Sequence, residues 1–183
     1  MPGLIIKPWF TYDANEPLPE NPVRGGKYTD GSILYAGRSY YAGDLLPAMI
    51  FINHLNFGTV ARVSHNGREI TQEHGFEILL PDGLYVWRSE SNGGIPFRAI
   101  EIGHTVDREV LYLGRGRHQG AVIVGKVHPS HNCLYIPFGG REIALRQYEV
   151  FKHWGLIINF FLANYIEFYW KNRLMRDKQR ALA

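Results

Sequence analysis

For most of the chain, hydrophobic residues fall in short runs separated by turn residues. SILYAGRS (32–39) and EVLYLGRG (109–116) are rich in β-branched and aromatic residues and end in Gly-Arg, which is strand composition. YTDG, just ahead of the first run, is a turn signal, because Asp and Gly tolerate the backbone angles of a tight turn. LYIPFGG (134–140) is another strand running into glycines. Before Lys152 no apolar period of 3.6 residues lasts for three turns. The pattern predicts an all-β body. After Lys152 it changes. From Trp154 to Trp170 only Asn159, Asn164 and Glu167 are clearly polar. On a helical wheel these and Lys171 fall within an arc of about 140°, opposite a wall built of Ile157, Phe160, Phe161 and Phe168. A C-terminal hydrophobic helix is predicted there.

The strand-like runs also repeat. A shift of 77 residues places Gly26 on Gly103, Asp30 on Asp107, Leu34-Tyr35 on Leu111-Tyr112 and Gly37-Arg38 on Gly114-Arg115. After a loop of different length the shift is 73, and Gly67-Arg68-Glu69-Ile70 meets Gly140-Arg141-Glu142-Ile143. At 72, Phe76-Glu77-Ile78 meets Tyr148-Glu149-Val150. Order is kept, and the shift changes only where loops would lie. A single unit would leave an apolar face wet, so two tandem β-units (21–79 and 99–151) are expected to pack with pseudo-twofold symmetry. An N-terminal arm (1–20) is expected to run extended against this body (21–151), and residues 152–183 form the tail.

Composition adds little to the fold but narrows the partners. The chain of 183 residues has a formal net charge of +3. The segment from Lys171 onward carries +4 of it, leaving −1 for the rest. No basic stripe marks the body as a nucleic-acid binder. Cys133 is the single cysteine, and the N-terminus has only a short apolar patch without a signal-type stretch. A reducing, cytoplasmic setting is the expectation, with association to a membrane or vesicle if the tail provides it.

The ordered motifs Gly-x-x-x-Asp-Gly, Leu-Tyr-x-Gly-Arg, Gly-Lys-Val, Tyr-Ile-Pro-Phe-Gly-Gly-x-Glu and Tyr-Glu-Val resemble the DM-nine tandem-repeat family. That family is known from insects and molluscs and is similar to the lectin-like part of the natterins. The stretch Glu101–Val150 carries the resemblance best, and LYVWRSESNGGIPFRAI (84–100) resembles the family's Trp-containing connection. The resemblance implies an all-β pseudo-dimeric fold and a non-enzymatic lectin that takes mannose-type glycans without a cofactor, with members often active in innate immunity. It implies a sugar site in which a lysine of the Gly-Lys motif works with an acid from the turn after the first glycines. Lys126 matches the lysine. Thr105 stands at the acid position, with Asp107 two residues on, a spacing that keeps one face if the segment is a strand. In the first unit Met49 and Tyr28 occupy these positions. Methionine offers sugar hydroxyls no donor, so one site per chain is expected.

Residues kept in both units, Arg38 and Arg115 with Glu69 and Glu142, are expected in structural ion pairs, since half-buried charges need partners. Gly26, Gly37 and Gly67 and their counterparts are expected at turns or bulges. His128 and His131 in HPSH sit three apart, but Pro129 breaks any helix and no third ligand follows at a motif distance. A loop with two exposed histidines is the simpler expectation. Cys133 opens an apolar strand and reads as a buried structural thiol. GRGRHQG lacks the spacing of a phosphate loop. The tail leaves three alternatives: a helix packed on the body or a partner chain, a membrane-surface or anchoring helix, or a segment with no evolved role. Expected partners are therefore mannose-type glycans, a second copy of the chain, and a membrane surface through residues 154–180, with no nucleic acid. The competing reading is a membrane-associated or scaffolding protein with degenerate sugar sites that acts through its C-terminal helix.

Overall fold

The computed structural model describes residues 8–13, 17–53 and 58–154. The predicted C-terminal helix and the greater part of the tail lie outside these residues. In chain order the strands are β1 (Trp9–Tyr12), β2 (Arg24–Lys27), β3 (Ile33–Tyr41), β4 (Asp44–Asn53), β5 (Gly58–His65), β6 (Arg68–Gln72) and β7 (Phe76–Leu79). They continue as β8 (Tyr85–Ser91), β9 (Glu101–His104), β10 (Val110–His118), β11 (Ala121–His128), β12 (Cys133–Phe138), β13 (Arg141–Leu145) and β14 (Gln147–His153). The only helix among the described residues is a 3-10 turn at Pro129–His131.

Turn chemistry sets the hairpins. Ala42-Gly43, Asn66-Gly67, Gln119-Gly120 and Gly139-Gly140 each hold two consecutive residues at positive φ. This is what a two-residue hairpin requires to match strand twist. The strands form one sheet in the order β1-β7-β3-β2-β11-β12-β13-β6-β5-β4-β9-β10-β14-β8. Pairings β3–β4 and β11–β10 close it into a β-barrel. The expectation of an all-β body holds. Closure buries the inward set, including Phe76, Ile78, Leu113, Ile123 and Ile136, each fully buried. Each such side chain contributes about 1.5–3 kcal/mol of burial.

Pairing partners in the second half recur at the sequence offset. Tyr35 faces Ile50 and Tyr112 faces Val127; Arg38 faces Glu77 and Arg115 faces Glu149; Val63 faces Ile70 and Ile136 faces Ile143. The halves also interlock. Lys27 on β2 faces Val122 on β11, while His104 on β9 faces Leu45 on β4. Gly26 and Gly103 make these crossings possible. A Cβ at Gly26 would lie 1.9 Å from the Val122 carbonyl oxygen, and one at Gly103 would lie 1.9 Å from that of Leu45. Gly67 is a turn glycine as expected. Gly37 and Gly114 instead stand inside strands, where Ile50 and Val127 leave no room for a side chain.

The N-terminal arm supplies β1, which pairs with β7, and the Trp-containing connection supplies β8, which pairs with β14. Each strand delivers a tryptophan to a repeated arginine. Arg38 bonds Glu77 at 2.6 Å with its guanidinium 3.8 Å from the Trp9 ring centre. Arg115 bonds Glu149 at 2.7 Å and lies 4.3 Å from the Trp87 ring. The structural role expected of these arginines is borne out.

Candidate functional site

Lys126 lies on β11 opposite Tyr135 of β12, and both strands pack beside the first half of the barrel. Both faces of β11 are covered from Ile123 to His128, and Lys126 is 6% exposed. A buried ammonium needs partners. Lys126 Nζ donates to the Ser64 carbonyl at 2.8 Å and pairs with Glu142 Oε1 at 3.0 Å. Its Nζ sits 5.4 Å from the Tyr135 ring centre. The other carboxylate oxygen of Glu142 accepts from the Gly67 amide at 2.7 Å, tying this site to a hairpin of the first half. Lys126 is thus an internal cation that links the two halves.

Beyond Lys126 on the same face of β11 comes His128, also buried. Its Nε2 lies 3.1 Å from Glu109, whose carboxylate also accepts from the Ser130 amide and hydroxyl. Because Nε2 donates, Nδ1 is the bare nitrogen, and it is buried without a partner. Desolvation holds the His128 pKa below 6.5, with His131 adding to the effect and Glu109 opposing it. For Glu109 burial acts upward, but the Ser130 bonds and His128 outweigh it and lower the pKa overall. The His131 ring is centred 3.7 Å from that of His128, and its Nδ1 lies 3.2 Å from the Tyr135 hydroxyl. Only His131 of this pair is exposed, so the expectation of two exposed histidines is half right. Tyr135 is pushed up to about 12, by burial first and then by its contact with Cys133. The Cys133 thiol is buried and its pKa raised by desolvation. It is a poor nucleophile in this state.

The structure places Thr105 and Asp107 in a turn rather than on a strand. β9 ends at His104, the Thr105 amide donates to the Glu109 carbonyl, and the Arg108 amide donates to that of Thr105. The same-face argument for Asp107 therefore fails. The Thr105 hydroxyl accepts from the Glu109 amide at 3.1 Å, while Asp107 is exposed. Among the described residues no hydrogen bond or ion pair joins either residue directly to Lys126.

The first half holds a pair that inspection of the sequence missed. Met49, the counterpart of Lys126, is fully buried and faces Arg62 on β5. Arg62 stands where Tyr135 stands in the second half, and it pairs with Glu69 at 2.9 Å while stacking on Phe51. Glu69 in turn accepts from the Gly140 amide at 2.7 Å. Both halves thus keep one cation, one carboxylate and one carboxylate-to-hairpin bond. The cation has moved one strand over. The signal was present in the strand order, since an arginine opposite a methionine beside a repeated glutamate is a replacement partner.

Comparison with known proteins agrees with this architecture. The chain is 33% identical over 79 residues to Natterin-3 of Thalassophryne nattereri, covering 42% of this chain and 19% of that protein. It is 26% identical over 96 residues to Natterin-1 of the same fish, covering 52% and 23%. The matched segments are thus about a fifth of those relatives. The crystal structure of the nematode sperm cell motility protein MFP2B superposes with a TM-score of 0.61 at 16% identity, over 81% of this chain and 47% of that one. That likeness is one of fold. The profile of the DM9 repeat matches residues 27–145, well over half the chain. The chain belongs to the DM9 repeat family.

Proposed function

We propose that this chain is a non-enzymatic, lectin-like carbohydrate-binding protein for mannose-type glycans, built from two copies of one β-unit packed about a pseudo-twofold axis. Family membership supports the class of ligand, and the recurrence of pairing partners in the order of the sequence repeat supports the two copies. One observation carries the site. An ammonium has three donors; one on Lys126 goes to the Ser64 carbonyl, while Glu142 balances its charge as an ion pair. A remaining donor is left for a sugar hydroxyl beside Tyr135, whose ring supplies the apolar wall a pyranose needs. Thr105 and Asp107, on the turn behind Glu109, form the outer edge of the site. The test is titration of the full chain with a mannose oligosaccharide, alongside Asp107→Ala and Thr105→Val. The reading expects both variants to stay folded and to bind several-fold more weakly. Unchanged affinity in both would remove the turn from the site.

A second reading has its own observation. Lys126 is already paired inside the barrel, as a purely structural cation would be. On that reading the protein scaffolds or associates with membranes through residues 152–183. It predicts co-sedimentation of the full chain with vesicles that contain no glycolipid, whereas the lectin reading predicts none.

A further inference from the structure

The ladder between β10 and β14 holds only two register pairs, Gly114↔Val150 and Arg115↔Glu149. Past Arg115, β10 continues to His118 while β14 begins at Gln147, so the two strands part. A cleft of about 840 Å³ opens there, lined among others by Arg117, Arg146, Glu90, Ser89, Ser91 and Gln147. A second hollow of about 280 Å³ adds Arg24 and Lys27 from β2 and shares Arg115, Arg117 and Glu149 with the first. The register explains the junction. Lys27 faces Val122, and Val122 faces Arg117. Directly opposed residues share a face, so Lys27 and Arg117 point the same way, two strand spacings or about 10 Å apart.

The charges in this cleft fall into two kinds. Arg115 is engaged by Glu149 and Trp87. Arg24, Lys27, Arg117 and Arg146 are exposed, and among the described residues no carboxylate pairs with them. Against these four stands Glu90. Positive charge is thus gathered along two adjoining hollows that share Arg115 and Arg117, in a body whose overall charge is near zero. The arginine–glutamate–tryptophan arrangement recurs in the first half, as a scaffold requirement would. The unpaired cations do not recur: the counterparts of Arg117, Arg24 and Lys27 at the 77-residue offset are Tyr40, Glu101 and His104. The fold does not need these charges.

We infer that this cleft binds a soluble oligosaccharide bearing sulfate or phosphate esters, at a site separate from Lys126. Guanidinium forks match the oxygens of such esters two at a time. Ser89, Ser91, Gln147 and Glu90 provide donors and acceptors for the ring hydroxyls between them. The volume lies in the range of about 300–1,000 Å³ usual for small-ligand sites. A nucleic-acid strand would want exposed aromatic faces for its bases. Here Tyr148 is buried, with its hydroxyl on the Gly94 carbonyl, and Trp87 is covered by Arg115.

The experiment is calorimetry of the full chain with a heparin-derived oligosaccharide and its desulfated form, alongside a double variant, Lys27→Gln with Arg117→Gln. A control pair, Arg68→Gln with Arg141→Gln, removes the same charge from exposed residues that face each other across β6 and β13. The parent and the control bind the sulfated sugar and not the desulfated one, and the double variant weakens binding roughly tenfold or more, as the loss of charge-assisted bonds requires. Equal weakening in the control would reduce the effect to bulk charge and overturn the site. So would a folded parent that binds no sulfated sugar, or one that binds only phosphoinositide vesicles. Mannose binding by the double variant stays at the parent level, so failure here is separable from failure of the Lys126 site.

Discussion

At the scale of single residues, each repeated glutamate has one cation beside it, and the two halves supply that cation differently. Glu142 is served by Lys126 from β11, and Glu69 by Arg62 from β5. Replacing Lys126 with Met leaves a buried carboxylate unpaired, which costs about 3–5 kcal/mol. Adding Tyr135→Arg imports the arrangement of the first half, Met49 with Arg62. The expected outcome is that Lys126→Met alone is strongly destabilised and the double variant recovers most of the loss, read by denaturant titration. Additive losses would show that the two arrangements are not interchangeable. The neighbouring pair gives a pH prediction. His128 is lowered below 6.5 in the fold and Glu109 below 4.5. In both cases the unfolded chain binds more protons, so stability rises with pH. It is complete above about pH 6.5 and is lost as pH falls, through His128 first and Glu109 below 4.5. His128→Asn flattens the upper part of that profile. The repeated Glu69 and Glu142 were legible from the sequence as charges in need of partners. Arg62 was not, because comparison position by position finds a methionine where the lysine should be. Only the strand register shows a cation on the next strand.

At the scale of elements, the edge strands carry the information that the repeat alone does not. β1 and β8 lie outside the matched units, yet each brings a tryptophan over an arginine that both units keep. Trp87→Ala removes packing and a cation–π contact together and is expected to cost roughly 2–4 kcal/mol. Arg115→Gln costs about 1.5–3 kcal/mol through the bond to Glu149. Because both substitutions act on Arg115, the double variant falls short of the sum, and a thermodynamic cycle measures the difference. Strands were readable from runs of β-branched and aromatic residues, and turns from Asp30-Gly31 and Gly139-Gly140. The splay of β10 from β14 was not readable, since it depends on where a ladder stops. The turn at Thr105–Arg108 was misread as strand because Thr105 and Val106 have strand composition, while Asp107 and positive φ at Arg108 close the chain back on Glu109.

At the scale of the whole molecule, β2 and β9 each pair with their own half along one edge and with the other half along the opposite edge, β2 between β3 and β11 and β9 between β10 and β4, so the two halves share one continuous sheet. The described barrel is therefore expected to unfold in one cooperative transition. Gly103→Ala drives a Cβ into the Leu45 carbonyl and is expected to destabilise the whole barrel by roughly 3 kcal/mol. Local loss of β9 alone, seen as hydrogen exchange confined to that strand, would contradict this. The central claim is that Lys126, though paired inside the barrel, keeps one donor for a sugar. The most direct measurement is calorimetric titration of the full chain with a mannose oligosaccharide, comparing the parent with Lys126→Met/Tyr135→Arg, which restores a cation beside Glu142 but removes both the ammonium and the Tyr135 ring of the proposed site. The account predicts binding by the parent and none by the folded double variant. Equal binding by both, or no binding by a folded parent, would contradict it.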